Sequence, residues 1–225
     1  MGRSKIFLVT LPRYSIFGVI TCLGLSMVFY QGGTMNDPSS VGYSFARNFF
    51  SDLGKYTPEN MVSLVFFAIA LTLCGVTFNA YFFYFSKLFP VKNIYQRMAI
   101  IGCVAGMFGG FCFISVGLTP SNTILGPHIF FANWAFRSFL ITSVLLSIVL
   151  YNDSRFNRLY FLGYALFALL ILIYVLILEF APNPKDSDFS LMFNVISQKA
   201  IVLVFIFSVL FQSFGNLKII SQKTT

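Results

Sequence analysis

The polar side chains suited to chemistry fall into short stretches far apart in the chain: Asn48, Ser51 and Asp52, then His128, Asn133 and Arg137, then Glu179, then Gln198 with Lys199. Arg137, Lys199 and His128 supply the positive charge or donors that a phosphate or carboxylate needs, and Asn48 and Asp52 would shape the mouth of such a site. Asn133 precedes Arg137 by one helical turn and shares its face, as Asn194 does with Gln198; at about 100° per residue His128 points away from Arg137. Structural roles compete with these: an ion pair of Arg137 with Glu179 or Asp52 that fixes helices together, and a Lys199 that snorkels outward along its apolar stem.

Catalytic constellations are mostly excluded. Ser51 and Asp52 are adjacent, so on a helix they diverge by about 100°, and no G-x-S-x-G elbow, paired carboxylates, Gly-rich phosphate loop or HExxH is present. Asp52 and His128 acting as acid and base is the one pairing that two loops on the same side would allow. A single histidine removes multi-His zinc and bis-His haem chemistry. Neither a metal nor another cofactor is expected. Cys22, Cys74, Cys103 and Cys112 lie in apolar stretches without a C-x-x-C pair, which argues against a disulfide framework or thiol redox centre.

The elements that must hold these residues are membrane helices. Of 225 residues 57% are hydrophobic and 10% charged, 30 are Phe, and the mean hydropathy is +0.82; a soluble domain is roughly a quarter charged. Six apolar stretches, about 14–30, 61–84, 98–118, 129–151, 159–181 and 191–220, predict an all-α, six-span polytopic bundle that occupies the whole chain as one domain. A lipid-exposed backbone must be helical because no water is there to bond it. Gly32-Gly33, Thr57-Pro58, Thr119-Pro120 and Gly126-Pro127 punctuate the spans. The first stretch is read as a span and not a signal peptide, since no A-x-A-like site follows it.

Basic residues set the orientation. With the N-terminus inside, Arg3, Lys5, Arg13, Lys87, Lys92, Arg97, Arg155, Arg158, Lys218 and Lys223 face the cytoplasm, against Arg47, Lys55, Lys185 and Lys199 on or near the outside. Both termini are then cytoplasmic, and Asn152-Asp153-Ser154 is a silent glycosylation sequon. The formal charge of +8 needs no nucleic acid to explain it. Glycines at 102, 106 and 110, with small-residue stripes Gly18/Cys22/Ser26 and Ala68/Thr72/Gly75/Asn79, predict close helix packing. Polar groups gather at the outer end, with mainly Asn79 and Gln212 in the inner half. Arg137 lies about 12 Å into its span, a costly place for a charge.

The same residues carry a resemblance. Asn48-Phe49-Phe50-Ser51-Asp52-Leu53-Gly54 followed by Thr57-Pro58-Glu59-Asn60, then Gly117-Leu118-Thr119-Pro120 with His128-Ile129-Phe130-Phe131-Ala132, and Ser197-Gln198-Lys199, resemble motifs of the domain-of-unknown-function family numbered 998, related to the FRAG, DRAM and SFK membrane proteins. Lys199 stands where that pattern carries Arg. The resemblance implies six helices with both termini inside. It implies no activity, and its wider relatives point to lipid as the class of partner. The leading expectation is a multi-pass protein of the cell membrane, or of an endomembrane in a eukaryote, that binds and thereby senses, moves or modifies a polar or anionic lipid headgroup in an outer-leaflet cavity. A small secondary transporter with Arg137 near mid-membrane, and a scaffold whose polar pairs are all structural, are the alternatives.

Overall fold

The computed structural model describes residues 2–90 and 93–222, without the side chain of Gln222; Lys92 and Lys223, counted above among the inner basic residues, lie outside the described residues. Six helices are long and apolar enough to cross a membrane: α1 (Arg3–Val28), α2 (Met61–Ser86), α3 (Ile94–Leu118), α4 (Leu125–Asn152), α5 (Arg158–Phe180) and α6 (Asp188–Gln222). No strand occurs among the described residues beyond one isolated bridge between Gly32 and Val41. Each helix packs on the next in sequence, and α6 returns to α1, so the bundle closes on itself. The beginning of α1 and the end of α6 therefore share one end of the bundle, and the long loop between α1 and α2 caps the other.

Helix α1 begins at Arg3, well ahead of the apolar stretch that starts at Tyr14, because a π-helical turn at Ile6–Thr10 carries the helix past Pro12. Proline has no N–H to give the carbonyl four residues back, and its ring clashes there; widening the turn relieves that clash. The Leu8 carbonyl, which residue 12 would serve in a regular helix, accepts instead from the Asn216 side chain at 3.3 Å.

Small residues set the helix spacing. A Cβ at Gly75 would collide with the Gly110 carbonyl oxygen, and one at Gly106 would lie 2.5 Å from the Phe82 ring. Ser26 and Ser63 join α1 to α2 through their hydroxyls at 3.0 Å. Between the two ends of the bundle the core is a block of rings: Phe78, Phe113, Phe136, Phe139 and Phe205 lie within 4.7 to 6.2 Å of one another, centroid to centroid, along the contacts they share. Phe17, Val28, Phe180 and Phe207 are at least 67% exposed, as side chains solvated by lipid can be.

Candidate functional site

The loop between α1 and α2 is built around one asparagine. Gly32, Gly33 and Gly42 have positive φ, which lets the chain double back on itself through Gly33 N–H to Ser40 O at 2.7 Å and Gly42 N–H to Gln31 O at 3.0 Å. Asn48 is fully buried beneath this fold-back. Its Oδ1 accepts from Ser44 N–H at 2.9 Å, and its Nδ2 donates to Gly33 O at 2.8 Å and to Asp52 Oδ2 at 3.2 Å. Asp52 also accepts from Phe49 N–H at 2.8 Å, starting the 3-10 turn Phe50–Gly54, and its Oδ1 pairs with Lys55 Nζ at 2.8 Å.

Helix α6 holds this loop from below with two adjacent residues. Gln198 Oε1 accepts from Phe50 N–H at 2.8 Å, and Lys199 Nζ donates to Asn48 O at 2.6 Å. The same ammonium is 5.5, 5.1 and 5.1 Å from the ring centroids of Tyr43, Phe45 and Phe50. It is 3% exposed, so the expected outward snorkel is stopped by the loop: the stem runs toward the bundle end and the charge ends in a cage of rings and one carbonyl. Cation–π attraction is strongest for such a desolvated ammonium. A compact ammonium suits a single carbonyl better than the planar fork of arginine, which gives the Lys199 departure a local reason.

Beneath the loop lies a cavity of about 80 Å³ that Ser51, His128 and Gln198 line together with apolar walls from Leu23, Phe67 and Val116. Phe113 and Phe136 of the ring block also border it. His128 Nδ1 is 2.6 Å from Thr119 O; a carbonyl only accepts, so Nδ1 carries the proton and the Nε2 of a neutral ring is an acceptor. Ser51 Oγ and the Gln198 NH2 make no hydrogen bond to a side chain or backbone group among the described residues. The cavity thus combines donors and acceptors with hydrocarbon walls.

Asn48, Asp52, Gln198 and Lys199 are brought into one network, and Ser51, His128 and Gln198 into one cavity. Asp52 and His128 do not bond to each other, since Phe49, Asn48 and Lys55 occupy the carboxylate and Thr119 holds the imidazole. Arg137 stands apart, paired with Glu179 across α4 and α5, with Asn133 half-buried on its face. The pair lies on the flank of the bundle and not in its core: its side chains are 30% and 44% exposed. At the loop end Arg47 also pairs with Asp188, at 2.7 Å.

Two parts of the arrangement escape sequence reasoning. Tyr43 and Phe45, in an ordinary loop sequence, become walls of the lysine cage, and Tyr43 Oη donates to Asn48 O at 3.2 Å. In the other half of the bundle, Asn216 Nδ2 donates to Tyr81 Oη at 2.9 Å, Tyr81 meets Tyr164 hydroxyl to hydroxyl at 3.3 Å, and Gln212 Nε2 donates to Tyr160 O at 3.2 Å. That half is more polar than Asn79 and Gln212 alone suggested. The Tyr81 and Asn216 side chains lie five and more residues inside their helices, a position that hinted at buried partners.

Six apolar helices in a closed ring with a capped, polar-lined end define a multi-pass helical membrane protein. Residues 23–211 match the family model described as Protein of unknown function (DUF998), and the chain belongs to that family. No curated protein and no solved structure matches it.

Proposed function

We propose that this protein binds a polar lipid headgroup in the cavity beneath the α1–α2 loop, with Ser51, His128 and Gln198 as its contacts and Asn48, Asp52 and Lys199 holding the loop closed over it. The observation that carries this reading is the meeting of three polar side chains from distant parts of the chain in one cavity whose other walls are apolar. A volume of about 80 Å³, against the roughly 10–15 Å³ that one enclosed water needs, takes a hydroxyl or ester segment of a lipid, while the hydrocarbon remains in the bilayer. The lining favours a neutral headgroup over an anionic one, because Lys199 is held by Asn48 and Arg137 by Glu179. With the basic residues facing the cytoplasm, the cavity opens to the outer leaflet of the cell membrane.

Transport would need a polar path across the bundle, and the Phe78, Phe113, Phe136, Phe139 and Phe205 rings interrupt it. The test is mass spectrometry of lipids retained by the purified full chain. Ala132→Phe, which fills the cavity, and His128→Ala should both release the retained neutral lipid, and Arg137→Gln should keep it. Retention unchanged in Ala132→Phe overturns the assignment.

A further inference from the structure

At the end of the bundle that carries the termini, the sequence has a single carboxylate, Asp153, and Arg155 holds it through its Nε at 2.9 Å. Among the described residues Arg13 therefore has no acidic partner. Its Nε donates to Ser213 Oγ at 2.9 Å, its Cζ stacks 4.4 Å from the centroid of Phe214, and its Nη2 is buried without a hydrogen bond. A guanidinium inside a membrane helix, uncompensated by charge, calls for an anion.

Phe214 also borders an open groove of about 640 Å³ between α5 and α6, walled by Leu159, Leu162, Leu166, Phe207 and Phe211. That volume lies within the range of ligand sites, and the α6 wall from Val204 to Phe214 runs for about 15 Å at 1.5 Å per residue. Lys218 lies one turn beyond Phe214 on the same face of α6 and is exposed, while Arg158 at the start of α5 turns toward α4, its Cζ 6.0 Å from the centroid of Tyr151. Two cations, Arg13 stacked on Phe214 and Lys218 one turn beyond it, thus stand at the Phe214 end of an apolar groove, with no free carboxylate beside them among the described residues.

We propose that this groove is a binding site for an anionic phospholipid of the leaflet at the terminal end: the phosphate sits on Arg13 and Lys218, and an acyl chain lies along the α5–α6 groove. This goes beyond the loop-end cavity in place, charge and leaflet. It makes Arg13 part of a built headgroup contact and not merely one of the basic residues that set orientation.

The experiment is native mass spectrometry of the full chain from nanodiscs of mixed phosphatidylglycerol and phosphatidylcholine. The wild type should retain phosphatidylglycerol in preference. Arg13→Gln should lower that preference about fivefold, the effect of one basic residue at an anionic surface, and Arg13→Lys should restore most of it. Leu166→Trp, which fills the groove without touching a charge, should reduce retention of both lipids, and free inorganic phosphate should fail to compete. Ala132→Phe in the loop-end cavity should leave phosphatidylglycerol retention unchanged, which separates the two sites. Unaltered preference in a folded Arg13→Gln overturns the headgroup contact. If Arg13→Gln does not fold, unaltered retention in Leu166→Trp overturns the proposal by itself, and competition by free phosphate overturns the lipid as occupant.

Discussion

Asn48 shows how much one side chain can organise. Its amide uses Ser44, Gly33 and Asp52, and its carbonyl takes both Lys199 and Tyr43. Removing the amide leaves buried backbone groups without partners, at about 1–3 kcal/mol; Asn48→Ala should lower the thermal midpoint in detergent by clearly more than Asn36→Ala on the exposed part of the same loop. Arg137 and Glu179 behave as a unit. Glu179→Gln strands a guanidinium in its span, so adding Arg137→Gln should recover stability, and a double-mutant cycle should give coupling beyond the roughly 0–1 kcal/mol of exposed aqueous pairs.

The phenols of Tyr30 and Tyr43 lie in the loop, and burial, then the Asp52 charge, raise both above the usual 10.0. A folded-state pKa above the unfolded value favours the protonated phenol in the closed loop. That contribution is complete below pH 10.0 and is lost as pH climbs through the raised values. A tyrosinate absorbance titration should therefore show these two phenols ionising late and together with opening of the loop; ionisation near pH 10.0 with the loop still closed would refute this.

At the scale of elements, helix contacts are set by what is missing from the side chains. Gly75 on α2 and Gly110 on α3 bring two backbones together, and Gly75→Leu would push into the Gly110 carbonyl and Ile114; overpacking of this kind costs about 1–3 kcal/mol or more, read as a lower denaturation midpoint. The π turn before Pro12 couples α1 to α6. Asn216 serves the Leu8 carbonyl that Pro12 leaves unserved, so Asn216→Leu should destabilise the wild type more than it destabilises Pro12→Ala, where residue 12 regains its own N–H. Additive effects of the two substitutions would refute that coupling.

At the scale of the molecule, charge is divided between the two ends. The loop end holds nearly all the carboxylates, among them Asp52, Glu179 and Asp188, each paired with a cation. The terminal end is basic with Asp153 alone, whose carboxylate burial would raise and the Arg155 hydrogen bonds lower, with the net shift downward. The asymmetry predicts opposite faces for the two ends in a cell. A membrane-impermeant maleimide should label Ser39→Cys in the α1–α2 loop of intact cells and spare Ser154→Cys until the membrane is opened; the reverse pattern would invert the topology.

The number of helices and their class were legible from composition because lipid leaves the backbone no alternative to internal hydrogen bonds. The motifs around Asn48 and Gln198 were visible through the family resemblance, and Arg137 stood out because a charge inside an apolar stretch demands a partner. What the residues alone left open was the choice among partners. Arg137 had two candidate carboxylates and took Glu179; Asp52 was available to His128 and took Lys55; Lys199 was free to snorkel and was caged by Tyr43 and Phe45 of a distant loop. Such choices depend on which surfaces of six nearly uniform apolar helices face one another. Periodicity cannot report that when the core and the lipid are equally apolar, so only the packed bundle decided it.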